Sequence, residues 1–208
     1  MGNKHPRRCL AAALLAALLL AVSLCGCQAQ EAPADAVPAP EAEAGKDPYL
    51  TDPIPEGRPA PVEPQDAEVT DAAYTCTLSI SCATILEHMD QLDPEKTELV
   101  PADGWILQPV TATFRQGESV FDVLLRVCQE NKIHMEYSNT PMYNSAYIEG
   151  IGNLYEFDCG NLSGWMYKVN DWFPNYGCSR YALQDGDVVC WVYTCDLGKD
   201  IGDNSLTS

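Results

Sequence analysis

Apolar and polar residues alternate along several stretches of the chain, and the alternation predicts its strands. From Tyr74 to Cys82, Cys76, Leu78, Ile80 and Cys82 fall on one face while Thr75, Thr77, Ser79 and Ser81 fall on the other. That period of two suits a half-buried strand. Trp165, Tyr167 and Val169 alternate with Met166 and Lys168 in the same way, and Val188 to Thr194 alternates again. Trp105 to Phe114 is apolar and β-branched but interrupted by Pro109. Proline has no N–H to give a neighbouring strand, so this element is expected to bend or to lie at an edge. The period changes after Gly117. Val120, Phe121, Leu124, Val127 and Cys128 recur at helical spacing, Ser119 can cap the helix with Asp122 as an imperfect capping box, and Asn131-Lys132 marks its end. Short helical turns are expected at Thr84 to Met89 and after Asp93-Pro94. Further strand segments are expected at Ile133 to Tyr137, Ala146 to Ile148 and Leu154 to Phe157, separated by the loop Asn139 to Asn144 and the turn Gly150 to Gly152. Two strands, one helix and then further strands is the order of an α+β fold, a β-grasp-like mixed sheet packed by one main helix.

The start of the chain follows a different pattern. Lys4, Arg7 and Arg8 precede an apolar run from Leu10 to Leu24 that ends at Cys25-Gly26-Cys27. The run is short for a membrane span and reads as a secretory signal. A small residue followed by Cys resembles a bacterial lipoprotein cleavage box, with Cys27 as the lipidated residue and Cys25 as the weaker alternative. Residues 1–26 are therefore expected to be a lipoprotein signal peptide, and the mature protein to be held by lipid on the outer, extracellular face of the bacterial membrane, with no other membrane contact. Nine of the fifteen prolines fall between residues 28 and 73, with eleven acidic and two basic residues. So few large apolar groups cannot offset chain entropy, so 27–73 is expected to be a disordered, acidic, Pro-rich tether ahead of a folded domain at 74–208. Without the three basic residues of the leader, nine basic residues face thirty acidic ones, a net charge of −21. That sign repels nucleic acid and anionic lipid as partners.

Seven cysteines follow the lipidation site. In an exported chain they read as a disulfide framework with one thiol left over. Cys76 and Cys82 lie six strand steps apart, roughly 20 Å, too far to bridge each other. Cys190 and Cys195 differ by an odd number and should face opposite ways. Cys76, Cys82, Cys128, Cys159, Cys178 and Cys195 are the disulfide candidates, with Cys159, Cys178 and Cys195 foremost, and Cys190 is expected to be unpaired and buried. A zinc site is disfavoured because there is no Cys-x-x-Cys pair and no His at ligand spacing.

The densest pattern runs from Ser163 to Cys195. Asn170-Asp171 can form a tight turn, Asp185-Gly186-Asp187 is a second break, and between them lie Trp172, Phe173, Tyr176 and Tyr181 with Pro174 and Gly177 restricting the backbone. Alternation favours a core role for Trp165, Tyr167, Trp191 and Tyr193, whereas Trp172, Phe173 and Tyr176 lie in a loop, where rings offer contact area at low entropic cost. Asn170, Trp165 and Tyr181 complete the candidate ligand-binding set. The run Gly164-Trp165-x-Tyr167-x-Val169-Asn170, then Pro174-x-x-Gly177, then Tyr181-x-Leu183-x-Asp185-Gly186-Asp187-x-Val189-x-Trp191-x-Tyr193-Thr194 resembles the transcobalamin-like C-terminal domain family. That family is related to the small β domain that closes over vitamin B12 in intrinsic factor and transcobalamin. The resemblance is dense over Gly164 to Thr194 and extends in weaker form from about Tyr74. It implies a domain that caps cobalamin or another corrinoid, with the helical barrel of those carriers, absent from this chain, coming from a partner protein.

Catalysis has little to build on. The mature chain has only His88 and His134, with no Gly-x-Ser-x-Gly, phosphate loop or His-Glu-x-x-His, so no enzyme activity, cofactor or metal is expected. Asp196, Asp200 and Asp203 match no calcium-loop pattern and read as a solvated tail. The expected function is non-catalytic ligand capture at the cell surface; the alternative is an adhesion or protein-interaction module that uses the same rings against a protein or glycan.

Overall fold

Strand β1 (Ala73–Ser81) is an inner strand of its sheet; Cys76, Leu78 and Ile80 are buried as expected, and Ser79 on the opposite face is buried as well. The computed structural model describes residues 47, 49–50 and 53–203; the signal region, with Cys25 and Cys27, and about half of the tether lie outside the described residues. β2 (Trp105–Arg115) pairs antiparallel with β1 and forms one edge of the sheet. The register slips between Leu78↔Val110 and Ile80↔Leu107, so a bulge falls at Pro109, where a missing N–H costs least. β7 (Val188–Thr194) lies parallel to β1 on its other side, and β6 (Gly164–Val169) pairs antiparallel with β7. The sheet order is β2-β1-β7-β6.

The remaining strands form a separate sheet. β3 (Met135–Thr140), β4 (Ser145–Ile151) and the two-residue β5 (Leu154–Tyr155) pair antiparallel in the order β3-β4-β5. The architecture is thus mixed α+β with two sheets, where alternation suggested one. Period-two patterning says which way a residue faces and nothing about which sheet it joins.

Helix α1 (Val120–Asn131) begins as its sequence predicts. Ser119 accepts from Asp122 N at 3.2 Å and donates its own N–H to the Asp122 carboxylate at 2.8 Å, a reciprocal capping box with Asp in place of the usual Glu. It ends at Lys132, left-handed at φ 56°. Val120, Leu124, Val127 and Cys128 are buried as expected, Val123 joins them, and Phe121 is only half-buried against Tyr137. The expected short helical turns are 3-10 segments at Ala83–Glu87 and Pro94–Leu99, the second capped by Asp93 accepting from Glu95 N at 2.9 Å.

An ion pair locks α1 to β2. Arg126 donates to both Glu118 carboxylate oxygens at 2.7 and 3.2 Å and to the Thr113 carbonyl at 2.7 Å, while Arg115 N donates to Glu118 at 2.6 Å. Burial by itself would raise the Glu118 pKa, but these donors together hold it below the usual carboxylate range. A carboxylate depressed in the folded state stabilises above its unfolded pKa and loses that contribution as pH falls through the folded one. Glu118→Gln should therefore lower the melting temperature at pH 7 and approach the parent at about pH 3. An equal deficit at both values in thermal melts would show that the charge on Glu118 is immaterial.

None of the seven described cysteines is bridged, so the expected disulfide framework is not present in this structure. Cys76, Cys82, Cys128 and Cys178 are instead small buried groups. Burial pushes the thiols of Cys76 and Cys82 up to about 11 and those of Cys128 and Cys178 up to about 12. Cys190, expected to be buried, is half-exposed, because Val189 and Trp191 take the inward positions of β7. In the acidic tail, Asp200 accepts from Cys195 N at 2.7 Å and so serves to terminate β7.

Candidate functional site

The aromatic loop is held at both ends by local chemistry. Asn170 and Asp171 have φ of 50° and 61°, the consecutive left-handed pair of a tight hairpin turn, and Val169 and Trp172 exchange backbone hydrogen bonds at 2.8 and 3.0 Å across it. The Asn170 amide donates to Asp187 Oδ1 at 2.8 Å, and its oxygen accepts from Val188 N at 2.9 Å. Both ends of that side chain are consumed in tying the turn to β7, so Asn170 positions the loop.

The structure brings the candidate rings Trp172, Tyr176 and Tyr181 together in one file running from the surface into the core, and leaves Phe173 and Trp165 outside it. Trp172 meets Tyr176 at 5.9 Å, Tyr176 stacks on Tyr181 at 6.1 Å, Tyr181 meets Tyr167 at 6.4 Å, and Tyr167 meets Trp191 at 5.5 Å. Trp165 packs edge-on against Tyr193 at 5.2 Å. Trp172 and Phe173 are half-buried, whereas Tyr176, Tyr181 and Trp165 retain only 6%, 2% and 9% of their surface. Their polar tips are satisfied in the interior: Trp165 Nε1 donates to the Leu154 carbonyl at 2.8 Å, and Tyr176 OH to the Pro59 carbonyl at 2.8 Å. Most of the file is therefore framework.

Hollows lie beside this framework. β4 crosses the loop so closely that a Cβ on Gly177 would fall 1.9 Å from Ser145 Oγ and 2.3 Å from Ser145 Cβ. On one side of this crossing a hollow of about 280 Å³ is walled by Tyr49, Tyr143, Tyr147, Pro174 and Tyr176. A second hollow of about 180 Å³ shares Tyr147 and Pro174 with the first and is walled also by Trp165, Tyr167, Cys178 and Trp191. Trp191 Nε1 is buried without a hydrogen-bond partner, so the second hollow is bordered by a residue with an unused donor. A larger hollow of about 550 Å³ lies between residues 64–69, the start of α1 and the β3–β4 turn; its lining mixes apolar residues such as Val69 and Phe121 with polar ones such as Asp122 and Asn139.

Tyr143 and Tyr147 were not singled out from the sequence, yet they remain 51% and 46% exposed. The signal for Tyr147 was present, since it alternates with the buried Ala146 and Ile148. Its hydroxyl donates to the Glu156 carboxylate; partial burial and that carboxylate hold the phenol protonated well above its ordinary range.

The described part of the stretch read as a tether lies against this site. Val62 N donates to the Arg180 carbonyl at 2.8 Å, and the Arg58 guanidinium lies 5.3 Å from the Trp172 ring. The Arg180 side chain is wholly buried. Its Nη2 donates to the carboxylates of Asp47 and, at 2.5 Å, Glu63, its guanidinium lies 5.0 Å over the Tyr49 ring, and its Nε and Nη1 have no partner. A composition-based reading gives no hint of Arg180, because its partners are more than a hundred positions away.

His88 and His134 are not brought together with any ring of the site. His88 Nδ1 is engaged by the Thr84 carbonyl at 2.9 Å, and His134 lies on the surface 3.6 Å from Glu136. Among the described residues no cluster of His, Cys, Asp or Glu has metal-holding geometry, and no helix is long and apolar enough to cross a membrane.

Comparisons with known proteins place this segment beside others of its kind. A family described as a domain of unknown function, DUF4430, matches residues 117–195, which hold α1, the second sheet and the aromatic loop. No curated protein matches the chain. Among solved structures, haptocorrin in complex with Cbi is similar at a TM-score of 0.45 and 12% identity over 62% of this chain, which spans 26% of the haptocorrin chain. A protein from Ruminococcus gnavus ATCC 29149, described as a proposed metal binding protein, is similar at a TM-score of 0.35 and 13% identity over 58% of this chain and 96% of its own. From Gly117 to Cys195, then, the chain is similar to a family defined by sequence and known by no function.

Proposed function

We propose that the protein is a non-catalytic ligand-capture domain displayed outside the cell, anchored by lipid at Cys27, with a tether after it whose described part, from Pro59 to Glu63 above all, packs onto the folded domain that follows. The observation that carries the reading is the ring-walled hollow of about 280 Å³ between β4 and the 173–177 segment. Concave apolar walls with a few convergent polar groups are where small molecules bind. Tyr143 and Tyr147 present rings at its rim, and the Glu156 carboxylate holds the Tyr147 hydroxyl. The volume is too small to engulf a large ligand and suits a surface that presses on one side of it. The order β2-β1-β7-β6, with its parallel central pair, also fits a β-grasp-like sheet.

The motif over Gly164 to Thr194 makes a corrinoid the first ligand to try, and a partner protein with a helical barrel would cover its other side. Titrating the full mature chain with cobalamin while following tryptophan fluorescence tests this. Trp165, Trp172 and Trp191 all lie within or beside the ring file, so binding should quench emission, and Tyr147→Ala should weaken the midpoint about tenfold. Absence of quenching at high micromolar cobalamin, with and without cell extract, would remove the corrinoid reading.

A second reading is favoured by a separate observation. Met142, Tyr143 and Tyr147 are exposed together around the β3–β4 turn, as an adhesion or protein-interaction surface would require. A pull-down that depends on Tyr143 and ignores added cobalamin would select it.

A further inference from the structure

We propose that Cys159 and Cys195 form a disulfide in the exported protein, closing β6, the aromatic loop and β7 into one loop. Cys159 lies between β5 and β6, and Cys195 directly follows β7. The pairing Gly164↔Thr194 brings these two ends of the β6–β7 hairpin side by side. Three hydrogen bonds then fold the intervening turn onto the end of β7. Cys159 N donates to Ser163 Oγ at 3.1 Å, Tyr193 OH donates to the same oxygen at 3.0 Å, and Leu197 N donates to the Leu162 carbonyl at 2.9 Å. Within that clasp the two thiols are near enough to perturb each other's ionisation, and Cys159 Sγ lies 3.4 Å from the His88 carbonyl. Both residues are buried, at 0% and 7% exposure. Cys178, by contrast, directs its sulfur to the Ala146 carbonyl at 3.6 Å.

The chemistry is thiol–disulfide exchange with an extracytoplasmic disulfide oxidant, either a protein or a small molecule. One cysteine, as thiolate, attacks a sulfur of the oxidant's disulfide and expels the first thiolate, leaving a mixed disulfide. The second cysteine gives its proton to solvent, attacks the mixed disulfide at the first cysteine's sulfur and expels the second thiolate. The protein loses two hydrogens and two electrons, and the oxidant gains them as two thiols. Burial raises both thiol pKa values in the folded state, so the thiolates needed for attack are scarce once the clasp has closed. Oxidation therefore belongs to the stage at which the C-terminal end of the domain is still open, and the finished bridge is shielded from reductant. It encloses β6, the aromatic loop and β7, and with them the rings from Trp165 to Trp191.

The proposal rests on export of the chain and is independent of what the site binds. The full chain with its leader is to be produced in an exporting bacterial host, trapped with an alkylating agent, digested without reduction and analysed by mass spectrometry. A cross-linked peptide joining Cys159 to Cys195, absent after reduction, is the expected result. Recovery of both residues as alkylated free thiols, or retention of the chain inside the cell, overturns the proposal. In a second measurement, reductant during unfolding should lower the melting temperature of the parent by roughly 10 °C and leave the Cys159→Ser/Cys195→Ser double variant unmoved. A parent equally indifferent to reductant would also overturn it.

Discussion

Replacing Asp47 and Glu63 together by Ala is expected to destabilise the protein by about 3 kcal/mol, because it strips a wholly buried guanidinium of its two anionic partners. Arg180 is already short of acceptors, with two of its nitrogens unpaired, so no internal group can take over. The chain can answer only by letting residues 53–66 lift away so that water reaches the cation. The variant should consequently be cut by protease within that segment while β1 onward stays protected. Arg180→Met should be milder, although it breaks the same two contacts. It leaves carboxylates whose side chains are already about a fifth to a quarter exposed and can hydrate in place, whereas an apolar side chain suits the buried position. Urea denaturation of the two variants measures the difference. Equal losses, or an unchanged proteolysis pattern, would mean that the pair does not hold the segment down.

The second large effect is expected at Gly177→Ala. The backbone there, with φ −68°, would accept any residue, so the cost is steric. The new methyl would overlap both heavy atoms of the Ser145 side chain. Ser145 cannot turn aside freely, because its hydroxyl bonds Ser179 Oγ at 2.8 Å, and the same Ser179 oxygen accepts from Ala146 N at 3.0 Å. β4 and the loop must part, at a cost of about 1–3 kcal/mol. The same parting separates Tyr147 from Pro174 and Tyr176, the walls of the hollow proposed to hold ligand. Stability and affinity should thus fall together. Ser145→Gly in the same chain removes both overlapping atoms and should restore most of each, a coupling that a double-mutant cycle reads directly. Independent effects of the two substitutions would dismiss the crossing as the element that shapes the site.

Much of the framework was legible in advance. The alternation at Cys76, Leu78 and Ile80, the inward set Trp165, Tyr167 and Val169, the capping box of Ser119 and Asp122 and the left-handed pair Asn170-Asp171 are all local, each depending on residues within a turn or a strand of one another. The ring-rich loop was legible as a cluster, and Trp172, Tyr176 and Tyr181 do meet. Their exposure was not. Tyr176 has little claim to burial by its loop position, yet it is sealed by Tyr181 stacked against it and by Pro59, whose carbonyl accepts a hydrogen bond from its hydroxyl.

The sequence by itself determined most of the residues that turn inward, the cap that opens the helix, the extents of β1, β6 and β7, and that the last third of the chain concentrates the rings. Periodicity and capping express backbone geometry over a few residues and need no distant partner. Only the tertiary structure decided that the strands divide between two sheets, that Arg180 reaches back to Asp47 and Glu63, and that Tyr143 and Tyr147 join the buried Tyr176 around the open hollow. Each of these joins residues far apart in the chain, through packing and charge pairing that exist only after the backbone has closed on itself.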